Sequence, residues 1–214
     1  MVDVPTDHDL VLAAAATYEN GVPVFQGLDN AIRIFAMPLK GMLVLAVEGT
    51  HDPEGWALDF LAIKANQRPG ILHNQLGFIH AGFYEGAEAA ISTVAGLVAG
   101  GPYALTGHSL GAGEALLLGA LMIERGKAPV KIGAFAPPRV GGQLFLEVLA
   151  KVPVSGYRFG SDVVPDVPFT LDPEFPYRQI ALTQIGTSTG NVFRDHNIKN
   201  YVASVPLPTP PPKG

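Results

Sequence analysis

Apolar and polar positions along this chain fall into short continuous apolar runs separated by stretches with helical spacing. Met42 to Val47 (MLVLAV), Tyr103-Ala104-Leu105 and Lys131 to Ala136 (KIGAFA) are apolar without alternation and bounded by turn residues. That is the pattern of strands buried on both faces. Ala31 to Met37 (AIRIFAM) alternates instead, with Pro38-Leu39-Lys40-Gly41 as a turn, and Val154 to Phe159 and Tyr177 to Leu182 read as further strands. Between them the 3.6-residue period predicts helices over Leu10 to Tyr18, Tyr84 to Ala99, the segment following Ser109, Gln143 to Lys151 and Val192 to Ser204. Trp56 to Leu61 also has helical spacing, and Asn66 to Gly77 reads as loop. Strands alternating with helices predict a single α/β domain over residues 1–205, with a mostly parallel sheet covered on both faces. The tail Pro206 to Gly214 is proline-rich and is expected to be extended and solvated.

The segment Pro102 to Arg125 (PYALTGHSLGAGEALLLGALMIER) combines a strand, a sharp turn through Gly107-His108-Ser109-Leu110-Gly111 and a helix. A G-x-S-x-G turn holds its serine in a strained conformation, and side chains at the flanking glycines would collide with neighbouring chain. The serine hydroxyl then projects beside the positive end of the following helix. The same residues also suit a glycine-rich turn whose serine caps the helix.

Composition narrows the chemistry. There is no cysteine, which excludes thiolate catalysis, thiolate metal sites and disulfide staples. The net charge is −5 with 14 scattered Lys and Arg, so no basic stripe awaits nucleic acid. No H-E-x-x-H, no strand-end G-x-G-x-x-G and no P-loop occurs, so neither metal nor nucleotide cofactor is expected. The N-terminal MVDVPTDHDL lacks a signal peptide's basic and apolar regions, and no apolar run approaches the ~20 residues of a membrane span. A soluble, cytoplasmic protein is expected from the sequence as written.

A serine nucleophile needs a base, and the base needs an orienting carboxylate. Of the 6 histidines, only His196 follows Ser109, as the order serine, acid, histidine requires. The acid must come from Asp162, Asp166, Asp172 or Asp195. Asp162 follows a strand and the turn Gly160-Ser161, where such an acid belongs; Asp166 is the second choice. Asp195 adjoins His196, but consecutive helical side chains point ~100° apart. The oxyanion of an acyl-transfer intermediate needs preorganised donors. The Leu110 N–H follows the serine, and Gly49-Thr50 ends the Met42–Val47 strand, although Thr50 equally suits an ordinary strand end.

Taken together, LVLAVEGT, IHAGF, TGHSLGAG, GAFAPPRVGG, YRFGSDVVPDVP and DHNIKNY resemble the class 3 (fungal-type) lipases, in the family's order over residues 42 to 201. The resemblance implies an α/β-hydrolase fold and a carboxylic-ester hydrolase, a lipase or esterase, acting on small esters or lipids. It implies Ser109 as nucleophile, Asp162 as acid, His196 as base, and Thr50 and Leu110 at the oxyanion hole. His80, His108 and Arg139 fall in family motifs and are read as structural. Two departures stand out. Glu48 occupies the place where the family often carries Arg, so an ion pair there is expected to be absent or reversed. The Asp162-to-His196 segment is short, and Trp56 is either an apolar lid tip over His51 to Leu58 or a core anchor. The competing functions are a non-catalytic hydrolase-fold binding scaffold and an acyltransferase using the same residues.

Overall fold

The computed structural model describes residues 3–19, 21–27, 32–52, 55, 70–168 and 176–208. Helix α1 (Asp7–Ala16) starts at Thr6, whose side chain accepts from the Asp9 N–H while the Asp9 carboxylate accepts from Thr6 N–H. That reciprocal box satisfies donors the helix end would otherwise orphan. Strands β1 (Phe25–Gly27), β2 (Ile32–Leu39) and β3 (Met42–Val47) follow as an antiparallel meander. Pro38 and Leu39 continue the second strand, so the turn is confined to Lys40-Gly41.

From β3 onward the sheet is parallel. It runs through β6 (Tyr103–His108), β7 (Lys131–Phe135), β8 (Val154–Phe159) and β9 (Leu182–Ile185), in the order β1-β2-β3-β6-β7-β8-β9. The last strand lies C-terminal to the expected Tyr177–Leu182, because Leu182 to Ile185 is the stretch that pairs with Gly156 to Phe159. A separate hairpin, β4 (Gly70–His73) with β5 (Gly77–His80), occupies part of the expected Asn66–Gly77 loop.

Helices α2 (Ala81–Leu97), α3 (Leu110–Glu124) and α4 (Gln143–Leu149) pack their apolar residues on one face of the sheet. On the opposite face α1 packs with the terminal α6 (Ile198–Ser204), around Leu10, Phe135, Tyr157 and Tyr201. Burial of apolar surface on both faces explains why the central strands are apolar throughout. The expected Val192–Ser204 helix is in fact two, α5 (Val192–Asp195) and α6, because the Asn191 and Asn197 side chains each cap a new N-terminus. His196 lies in the break, beside the capping Asn197. Trp56 and the helix expected over Trp56 to Leu61 lie outside the described residues, as does Asp172. No helix among the described residues is long and apolar enough to cross a membrane.

Candidate active site

Parallel pairing aligns Val47 with Gly107, and His108 with Phe135, so the carboxyl ends of β3, β6, β7 and β8 open onto one edge of the sheet. Ser109 sits at the apex between β6 and α3 with φ 60° and ψ −130°, a region rarely populated by residues bearing a Cβ. Its N–H donates to the Phe135 carbonyl at 2.9 Å, which helps hold the apex. A Cβ on Gly107 would lie 2.2 Å from the Gly111 carbonyl oxygen, and one on Gly111 would lie 2.3 Å from the Val47 carbonyl oxygen. Both flanking glycines are therefore dictated by backbone contact.

His196 Nε2 lies 2.8 Å from Ser109 Oγ, and His196 Nδ1 lies 2.8 Å from Asp162 Oδ2. The carboxylate can only accept, so Nδ1 carries the proton and Nε2 is left to accept from the serine hydroxyl. Ser109, Asp162 and His196 are all buried. Asp162 is further fixed by the Val164 N–H, which donates to Oδ1 at 2.9 Å, and by the Tyr201 hydroxyl, which donates to Oδ2 at 2.5 Å. Tyr201 in turn accepts from the Phe159 N–H at 3.0 Å. The buried carboxylate is thus surrounded by donors, as its burial requires.

A second path fixes the histidine from behind. His108 Nε2 donates to the His196 carbonyl at 2.9 Å, which makes its Nδ1 the acceptor for the Tyr18 hydroxyl at 2.8 Å. Burial holds His108 well below the ordinary histidine pKa, with repulsion from His196 adding to it, so the ring stays neutral and this tautomer is consistent. Burial beside Glu48 likewise raises the Tyr18 phenol far above its usual range.

Thr50 and Leu110 are half-buried and border the same cavity of about 390 Å³, together with Glu48, Arg33, Gln26 and His51. The Thr50 Oγ1 accepts from the Asp52 N–H at 3.2 Å, which leaves its own proton to donate elsewhere. Glu48 is buried and paired with Arg33 of β2 at 2.7 Å, so the ion pair at this position is reversed in sign rather than absent. A second cavity of about 430 Å³ shares Thr50 and His51 and is walled by Tyr18, His196, Phe193 and Ile198.

The remaining candidates are placed elsewhere. Asp166 is held by Arg158, with contacts of 3.2 and 2.8 Å, and by Arg139 at 3.7 Å. Arg139 also reaches the Pro168 carbonyl and so fixes its loop, as its motif suggested. His80 lies buried beside the Phe83 and Tyr177 rings, and burial lowers its pKa to about 4. Asp195 is fully buried and accepts from Ser161, Ser188 and Thr189 rather than facing His196 Nδ1. Burial pushes its carboxyl pKa up, but the hydrogen bonds from Ser188, Thr189 and Ser161 outweigh it and hold the group well below the usual range. Sequence reasoning missed Tyr201 and the Tyr18–His108 link. The D-H-x4-Y spacing put Tyr201 one helical turn beyond His196, which was the available signal for the former.

Residues 44–171, more than half of the chain, match the family Lipase (class 3). No curated protein sequence matches. Among solved structures, lipase II from Rhizopus niveus is 21% identical with a TM-score of 0.61, covering 76% of this chain and 64% of that one. The chain therefore spans somewhat less than two thirds of that lipase. The Rhizomucor miehei triacylglyceride lipase is 18% identical with a TM-score of 0.58 over the same shares, 76% and 64%. A member of a family of fungal lipases described for an unusual buried polar cluster is 20% identical, TM-score 0.62, covering 86% of this chain and 81% of its own. At these identities the likeness establishes the fold, an α/β hydrolase.

Proposed function

The chain belongs to the class 3 lipase family, and from that premise we propose that it hydrolyses carboxylic esters through Ser109, His196 and Asp162. The observation that carries the reading is the continuous buried path from Ser109 Oγ through both His196 nitrogens to Asp162, each step 2.8 Å long. Nothing in a binding scaffold calls for that path together with a serine held at positive φ.

Ser109 Oγ attacks the ester carbonyl as His196 Nε2 takes its proton, and Asp162 stabilises the imidazolium and keeps the ring oriented. The negative charge on the carbonyl oxygen meets the Leu110 N–H and the Thr50 N–H or hydroxyl across the cavity they share. His196 then hands the proton to the departing alcohol, leaving an acyl-Ser109. Water then attacks the acyl carbon as it gives a proton to the same nitrogen, and the bond to Ser109 Oγ breaks as that proton returns to the serine and the acid leaves. Burial of the serine, histidine and aspartate strengthens each electrostatic contact along this route. The relatives are described as triacylglyceride and fungal lipases, so acylglycerols are the substrate class to try first. The cavity walled by Phe193 and Ile198 opens on His196, the group that must reach the leaving alcohol.

The test is hydrolysis of p-nitrophenyl esters from short to long acyl chains, wild type beside Ser109→Ala. Turnover that falls by ~10⁴-fold or more in the variant supports the reading, and the chain-length preference separates esterase from lipase. Equal, feeble turnover by both proteins on every chain length would sink it.

A further inference from the structure

Asp195 is a buried carboxylate that the reaction as described does not use, and its four hydrogen bonds come from two stretches of chain distant from each other in sequence. Oδ2 accepts from the Ser161 N–H at 2.8 Å and from Ser188 Oγ at 2.7 Å. Oδ1 accepts from the Thr189 N–H at 2.8 Å and from Thr189 Oγ1 at 2.6 Å. No cation pairs with it among the described residues, so neutral donors alone offset the cost of burying its charge.

What those donors belong to gives the arrangement its meaning. Ser161 directly precedes Asp162, on the turn that leaves β8. Ser188 and Thr189 lie on the loop between β9 and α5. Asp195 itself ends α5 and directly precedes His196, which lies in the break between α5 and α6. One carboxylate therefore ties the segment carrying the acid to the segment carrying the base, without touching either side chain.

We propose that Asp195 is a positioning residue, setting the His196–Asp162 hydrogen bond by fastening the two loops that bear it. This rests on the catalytic roles proposed above for Ser109, His196 and Asp162. The backbone makes the claim sharp. Each carboxylate oxygen accepts from a main-chain N–H that cannot rotate away. In Asp195→Asn, whichever way the amide turns, its NH₂ faces the N–H of Ser161 or of Thr189, and one loop must shift. A displacement on the order of 1 Å at the reacting groups costs about 100-fold in rate.

The test combines kinetics with proton NMR, so that it does not depend on turnover alone. Wild type should show a low-field resonance from the His196 Nδ1 proton bonded to Asp162, and His196→Ala identifies the signal. In Asp195→Asn that resonance should broaden or vanish. Activity per folded molecule should fall about 10- to 100-fold in kcat, with KM within about 2-fold. Ser188→Ala with Thr189→Val removes two side-chain donors but keeps both backbone bonds. This double variant should lower kcat about 5-fold at unchanged KM, and it serves as the test if Asp195→Asn does not fold. A purely structural role predicts a lower Tm with kcat per folded molecule and the resonance unchanged in every variant, and that result would overturn the proposal. Loss of the resonance in a protein whose wild type hydrolyses no ester would uphold the positioning and reject the ester-hydrolase reading instead.

Discussion

Glu114 lies five residues beyond Ser109, on the face of α3 turned toward α2, where its carboxyl packs over Gly86. It is buried, and its Oε2 has no hydrogen-bond partner among the described residues. Burial raises its pKa well above the ordinary carboxylate value, so the folded protein holds a neutral acid. The unfolded chain ionises near the usual value of about 4.3. A raised folded pKa means that this group's stability is fully present below the unfolded pKa. It is lost as pH climbs toward the folded pKa, at ~1.4 kcal/mol for each pH unit. Between pH 5 and pH 7, for as long as the folded acid stays neutral, the loss comes to about 2.7 kcal/mol. For a domain of this size that is on the order of 5–10 °C in Tm.

Glu114→Gln keeps the shape and abolishes the titration. Its buried amide carries a cost, but one that does not depend on pH. Denaturant unfolding of both proteins at pH 5, 6, 7 and 8 should give stabilities that diverge, the variant gaining on the wild type with each step. Parallel curves would refute the argument, because they would mean that the carboxyl ionises in the folded protein as readily as in the unfolded chain.

Three further substitutions probe the site itself. Thr50→Val removes a hydroxyl whose proton is free to meet the oxyanion, and kcat should fall about 100-fold at constant KM; a loss under about 3-fold would leave only the backbone N–H in that role. Tyr201→Phe strands the Phe159 N–H and takes one donor from Asp162. It should cost about 2–4 kcal/mol in denaturant unfolding, and an unchanged midpoint would contradict it. Gly107→Ala places a methyl 2.2 Å from the Gly111 carbonyl oxygen. Because the obstacle is backbone, about 3 kcal/mol of stability and essentially all ester hydrolysis should go, and a folded, active variant would show that the elbow can yield.

How much of this was legible in the sequence depended on range. The glycines at 107 and 111 announced the elbow because the constraint is local, each meeting backbone only a few residues away or in the adjoining strand. Chain order alone singled out His196, and the turn after β8 pointed to Asp162. The break at His196 was harder, since the apolar spacing continues from Phe193 through Ile198 to Tyr201 and only the capping residues Asn191 and Asn197 betray it. The β4–β5 hairpin was hidden by its length of four residues per strand and by the Pro69-Gly70 turn signal. Strand β9 was displaced in the reading because Tyr177 to Ile180 has strand-like composition, but its strand-type pairing among the described residues is an isolated bridge from Arg178 to Gly141 rather than a place in the sheet. The partners of Glu48, Asp195 and His108 were out of reach, because each is fixed by residues distant in sequence. Arg33 lies on a neighbouring strand's far side of a hairpin, Ser161 is 34 residues before Asp195, and Tyr18 is 90 before His108.

The central claim is that Ser109 is an activated nucleophile, and covalent labelling reads this without any assumption about substrate. Wild type, Ser109→Ala and His196→Ala would each be incubated with a fluorophosphonate, weighed as intact proteins and mapped by peptide mass spectrometry. The account predicts one phosphonyl group on wild type, carried by the peptide containing Ser109, and none on either variant. A wild type that stays unlabelled, or that takes the label on another residue, would contradict it.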